Sequence, residues 1–225
     1  MRESRLNAIG AAKLSEEGAG HWPSRSVWRA FYLASIFLTA EWVVVYGGAN
    51  WITGLHSHRV EVQTSLDRAL PFMPSAAFFY LSLFPMLWLS PFVLRSAAQL
   101  RTFARSLAIV IMISGIGFLL VPAEAMEAPS IGSSPFASLF HFADTINLNH
   151  NYFPSLHVGM AIVCAIYYSG SFSRTAALFF SMWALMIALA TLLTRQHYVV
   201  DVFAGGALGA MVAKRFTFFP ALSEN

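Results

Sequence analysis

The sequence predicts an all-α integral membrane protein, a six-transmembrane-helix bundle with both termini cytoplasmic. Three observations predict it. The chain is 57% hydrophobic and only 11% charged over 225 residues, with a mean hydropathy of +0.60. Its apolar residues gather into six runs, near 27–46, 75–94, 105–121, 156–170, 175–194 and 199–213, each ended by charge, Pro or Gly. Most approach the roughly 20 helical residues that cross a hydrocarbon core. Eleven of the fourteen Lys and Arg then fall on one side of those runs, leaving only Arg59, Arg68 and Arg195 on the other. Cytoplasmic loops carry the excess of Lys and Arg, so the richer side is cytoplasmic.

In chain order, residues 1–26 are a polar cytoplasmic tail with Glu16, Glu17, Gly18, Gly20 and Pro23 and no secretory-signal pattern. Residues 27–215 are one membrane catalytic domain, and 216–225 a second cytoplasmic tail. Glu41 lies in the outer half of the first run beside Trp42. It reads either as a carboxylate snorkelling to the aromatic belt or as a buried functional acid. Two outer loops, 47–74 and 122–155, are long enough to cover a site or recognise a headgroup. In the last run Gly205, Gly209 and Ala213 recur every four residues, a stripe that lets helix backbones approach closely. The lone Cys164 allows no intrachain disulfide. The pI near 9.2 reflects basic residues flanking spans, which membrane orientation explains without nucleic acid. Nothing in the sequence specifies an oligomeric state.

Six of the seven histidines fall at the non-cytoplasmic face, and ionisable groups lodged among apolar segments mark function by default. His197 and Asp201, four apart at a helix start, share a face. A carboxylate there can accept the Nδ1–H and leave Nε2 as an oriented nucleophile or base. Pro154 and Ser155 open the fourth run, with Ser155 as its N-cap, and the helix start is an anion site. His157 in its first turn can protonate a leaving oxygen. At about 1.5 Å per residue, both imidazoles lie at similar depth, a few ångströms below the outer surface, where a lipid phosphate resides. Together these residues suggest phosphoryl transfer: His197 attacks, Asp201 steadies the imidazolium, His157 acts as acid, and Ser155, Arg195, Arg68 and Asn151 are candidates to hold the phosphate. No metal or other cofactor is required. A competing metal site would use His56 and His58, whose spacing matches no strong zinc pattern.

These residues carry a resemblance. Phe153-Pro-Ser-Leu-His-Val158 and His197-x-x-x-Asp201 resemble two signatures of the type 2 phosphatidate phosphatase superfamily. Thr194-Arg-Gln-His-Tyr-Val-Val-Asp201 and Leu66-Asp-Arg-Ala-Leu-Pro-Phe-Met-Pro74 look more like the inositol phosphorylceramide synthase branch and its bacterial relatives. The resemblance implies a six-helix membrane core, a phosphohistidine at His197, His157 as acid, Asp201 as partner and no metal. The superfamily's Lys-x6-Arg-Pro signature has no counterpart, and Thr191 stands where an arginine is expected six residues before the nucleophile. Few cations suit a phosphodiester, with its single charge, better than a dianionic monoester. The expectation is therefore a lipid phosphotransferase acting in a bacterial inner membrane or eukaryotic endomembrane, with its site on the periplasmic or lumenal side. A phosphatase acting on phosphatidate or polyprenyl phosphates, and a non-catalytic lipid-binding membrane protein, remain open.

Overall fold

The computed structural model describes residues 22–218 except 127, 128, 133, 149, 171 and 172. The expected tails over 1–26 and 216–225 lie largely outside this range. The described residues are almost wholly helical, with a single isolated β-bridge between Val60 and Ala123. Three helices are long and apolar enough to cross a membrane: α1 (Arg25–Gly54), α5 (Ala97–Leu120) and α8 (Arg174–Leu193). Two shorter apolar helices, α3 (Pro74–Trp88) and α7 (Leu156–Ser169), accompany them, with α9 (Val199–Phe218) after the last connection. Short helices α2 (Ser65–Ala69), α4 (Ser90–Val93) and α6 (Ala137–Asn147) complete the order.

Local chemistry explains where these elements begin and bend. Ser24 and Ser173 accept the backbone N–H groups of Val27 and Ala176, capping α1 and α8. A reciprocal capping box between Ser96 and Gln99 starts α5 eight residues earlier than hydropathy predicts, because helical hydrogen bonding tolerates Arg101 and Arg105 where an apolar count does not. The predicted run 75–94 is not one helix. Pro85 has no N–H for the Leu81 carbonyl and α3 breaks at Ser82, while a separate short helix begins around Pro91. The run 27–46 extends to Gly54 through a π-helical turn at Val43–Gly47. Neither long loop is structureless: the first contains the end of α1 and α2, the second contains α6.

Helix α7 forms the centre, packed against α5, α8, α9 and the Leu83–Trp88 part of α3. Ala161, Val163, Cys164 and Tyr168 on it are fully enclosed, as expected for a helix that is apolar all round. Against it lies the glycine stripe of α9. A Cβ on Gly205 would overlap the Ser155 carbonyl, and one on Gly209 the Gly159 carbonyl. Only glycine permits that approach. On α1, by contrast, Leu33, Ile36, Phe37 and Val44 are exposed, an apolar surface suited to lipid. Helix ends converge at one end of the bundle, where Met73 N–H donates to Leu193 O, Val60 N–H to Pro122 O and Ser155 N–H to Asp201 O.

Candidate active site

At that end, α7 and α9 begin side by side. Ser155 caps α7, its Oγ accepting Val158 N–H at 3.4 Å, while its own N–H donates to the Asp201 carbonyl at 3.0 Å. This cross-link brings His157 and His197 into one buried cluster, 8% and 2% exposed, with Asp201 at 0%. The two rings lie within electrostatic range of each other.

His197 is oriented by a partner that sequence spacing does not reveal. Its Nδ1 is 3.1 Å from the Tyr152 carbonyl and 3.6 Å from Asp201 Oδ2. A carbonyl only accepts, so Nδ1 carries the proton and Nε2 the lone pair. Asp201 supplies charge from just beyond hydrogen-bond reach. Its Oδ2 accepts Tyr198 N–H at 2.8 Å, capping α9, and its Oδ1 is buried without a partner among the described residues.

His157 stacks on Tyr80, centroids 4.1 Å apart at 21°, with the phenol oxygen 3.3 Å from Nδ1. Tyr80 donates onward to Asn147 Oδ1 at 3.1 Å, so the Nδ1–H side of His157 faces the phenol oxygen. Its Nε2 is buried with no partner among the described residues. Buried polar groups are ordinarily satisfied. Asn151 Oδ1, Arg195 Nε and Gln196 Oε1 are likewise buried with no partner among the described residues.

The connection bearing His197 is gripped from both long loops. Helix α8 ends in a Schellman motif: Arg195 N–H donates to Leu192 O, and Gln196 N–H to Thr191 O, as does His197 N–H. Arg195 occupies the left-handed position at φ 58°, where glycine is usual. Its side chain is what glycine lacks: Nη1 donates to Asp67 O at 2.6 Å and Nη2 to Leu70 O at 2.8 Å. Asp67 forms a capping box with Thr64, and its Oδ1 accepts Val199 N–H at 2.7 Å. From the other loop, Gln196 donates to Asp144 Oδ1, and Asn147 Nδ2 to the Gln196 carbonyl.

The predicted phosphate ligands thus divide. Ser155 and Arg195 adjoin the histidines. Asn151 is buried, but its Nδ2 donates to Tyr46 O in the π turn at 2.7 Å. Arg68 is exposed and contacts Gln63 Oε1 at 3.5 Å. Sequence reasoning missed Asp67, Tyr80, Asn147 and Tyr152. For Asp67 a signal existed, since Thr64-x-x-Asp67 is capping-box spacing; for the others none did. Burial pushes the Tyr152 phenol above its ordinary range, so it stays neutral while accepting Met126 N–H. Among the described residues no three His, Cys, Asp or Glu side chains are grouped as a metal site would group them. His56 and His58 are exposed after α1.

Residues 49–214 match the family model described as PAP2 superfamily, which takes in His157, His197 and Asp201. The chain belongs to the PAP2 superfamily. No curated protein and no solved structure matches it significantly. Membership suggests a lipid phosphatase or phosphotransferase, and the apolar helices fit a membrane-bound member of the superfamily.

Proposed function

We propose that this chain is a membrane enzyme transferring a phosphoryl or phospho-headgroup from a lipid phosphate ester through a phosphohistidine, in the manner of the inositol phosphorylceramide synthase-like branch. His197 Nε2 attacks phosphorus and the bond to the leaving oxygen breaks as His157 protonates it. His157 then takes the proton from an acceptor hydroxyl, which attacks phosphorus and releases His197. Asp201 stabilises the imidazolium. Ser155, the start of α7 and Arg195 Nε hold the phosphate oxygens, with Asn151 beside them and Arg68 at the surface available to the headgroup. No metal enters these steps. The observation that carries the reading is the pairing of His197, whose tautomer a carbonyl sets, with a buried His157 whose Nε2 has no partner among the described residues.

The shortage of cations favours a diester donor. With the basic residues on the cytoplasmic side, all six apolar helices cross the membrane and the site faces the periplasm or lumen. Water as acceptor would make the same steps a phosphatase. The test incubates purified protein with labelled lipid monophosphates and diesters, with and without lipid alcohols. Transfer from a diester to the alcohol is expected, and phosphate release from monoesters alone would reverse the assignment. His197→Ala should lower turnover by roughly ten-thousand-fold or more for any acceptor; retained activity would remove His197 from the nucleophile role.

A further inference from the structure

An apolar cavity of about 420 Å³ runs lengthwise between α1, α3, α5 and the first turn of α7. Among the described lining residues His157 is the only acid or base of ordinary strength, and it stands with Tyr46 and Ile146 at the end where the helix termini converge. Along α1 the lining extends from Tyr46 back to Phe31, about 22 Å of helix. Beyond Phe31, the packed cluster of Val27, Ala30 and Leu100 closes the far end. The side is open: Phe31, Leu38 and Trp42 are only half-buried and Trp88 is exposed, so the gap between α1 and α3 faces the lipid side of the bundle.

From this shape we infer that the cavity receives one hydrocarbon chain of the phosphate-ester substrate, its phosphate end at His157 and its methyl end against Phe31 and Leu100, and that the closed end limits chain length. The inference rests on the phosphoester reading of the site. Water is a poor occupant, because almost all lining atoms are apolar and a water needs two to four polar partners. A peptide would bury backbone groups with nothing to bond. An alkyl chain needs no partners and restores the dispersion contacts that an empty lining forfeits. At roughly 30 Å³ per water-sized group, the space holds about fourteen methylenes. That is one chain, so a second chain stays in the bilayer.

The probes are straight-chain alkyl phosphates from octyl to docosyl, and tetradecyl phosphate with a photoreactive diazirine at the chain end. They are used on the full chain in lipid nanodiscs. Affinity, expressed as the mole fraction of probe in the nanodisc lipid, should rise with each methylene up to near tetradecyl as dispersion contacts are added, and then stop rising. Ser35→Phe, which narrows the cavity about 6 Å short of its closed end, should move that break to shorter chains, and Phe31→Ala to longer ones. Opposite shifts from two substitutions are not what a folding defect produces. The photoprobe should label Phe31, Leu100 or Phe103, in wild type and His197→Ala alike, with the label displaced by tetradecyl phosphate. Labelling confined to lipid-facing residues such as Phe37 and Val44, or affinity rising unbroken to docosyl in all variants, would overturn the inference. Turnover with the chain end outside the cavity would defeat this inference and leave the proposed reaction standing. Labelling inside the cavity with no phosphate ester turned over would defeat the reaction and leave the chain site.

Discussion

At the scale of single residues, the site depends on what holds each imidazole. Where a lone carboxylate orients a catalytic histidine, converting it to an amide costs roughly ten-thousand-fold, because the tautomer is lost. Here the Tyr152 carbonyl sets the tautomer of His197. Asp201→Asn should therefore lower kcat by only about 10- to 100-fold, its loss being imidazolium stabilisation alone. A steady-state comparison with wild type checks this, and a ten-thousand-fold loss would return the orienting role to Asp201. The division of labour also has a leaving-group signature. His157→Gln should lose less activity on a nitrophenyl ester, whose leaving group needs no acid, than on an alkyl ester. Equal losses on both would remove His157 from the acid role. Both histidines were legible in the sequence, since ionisable groups in apolar surroundings are costly and stand out one by one. Tyr152 was not, because its contribution is a main-chain oxygen, which every residue possesses.

At the scale of elements, the connection between α8 and α9 is held by hydrogen bonds from helices of two distant loops. Asp67 on α2 serves both sides of this joint, accepting Val199 N–H through its carboxylate while its carbonyl accepts from Arg195. Asp67→Ala should remove the partner of the half-buried Val199 N–H, at about 1 kcal/mol, and should lower kcat more than it raises KM as His197 loses its fixed position. Thermal unfolding in detergent together with initial rates tests this. An unchanged melting temperature and kcat would show the joint to be dispensable. The glycine stripe of α9 was readable from spacing alone, and its contact with Ser155 and Gly159 agrees. The break in α3 was signalled by Pro85 but overridden in the hydropathy count, which registers apolar side chains and ignores a missing N–H. The early start of α5 reverses the case: hydropathy stopped at Arg105, where the capping box at Ser96 and Gln99 was the better guide.

At the scale of the whole molecule, apolar helices from distant parts of the chain bring their ends together around one cluster. Their placement in a membrane makes a prediction that Cys164 allows to be tested cleanly, since it is fully buried and should not react. In intact, right-side-out vesicles an impermeant maleimide should label His58→Cys, on the exposed loop after α1. It should label Ala98→Cys, at the exposed start of α5, only after permeabilisation. Labelling of both without permeabilisation would refute the orientation. The sequence alone determined the helical, membrane-suited class of the fold, the two histidines and the carboxylate that the fold buries together, and the helix faces that meet. Composition, periodicity and the cost of burying a polar group are local properties that show through wherever a residue is placed. The tertiary structure alone decided which atoms those residues face: Arg195 with the carbonyls of Asp67 and Leu70, Val199 with the Asp67 carboxylate 132 residues away, and His157 with a cavity assembled from four helices. Such partners are set by how packed elements close on one another, and no property of either residue taken singly encodes them.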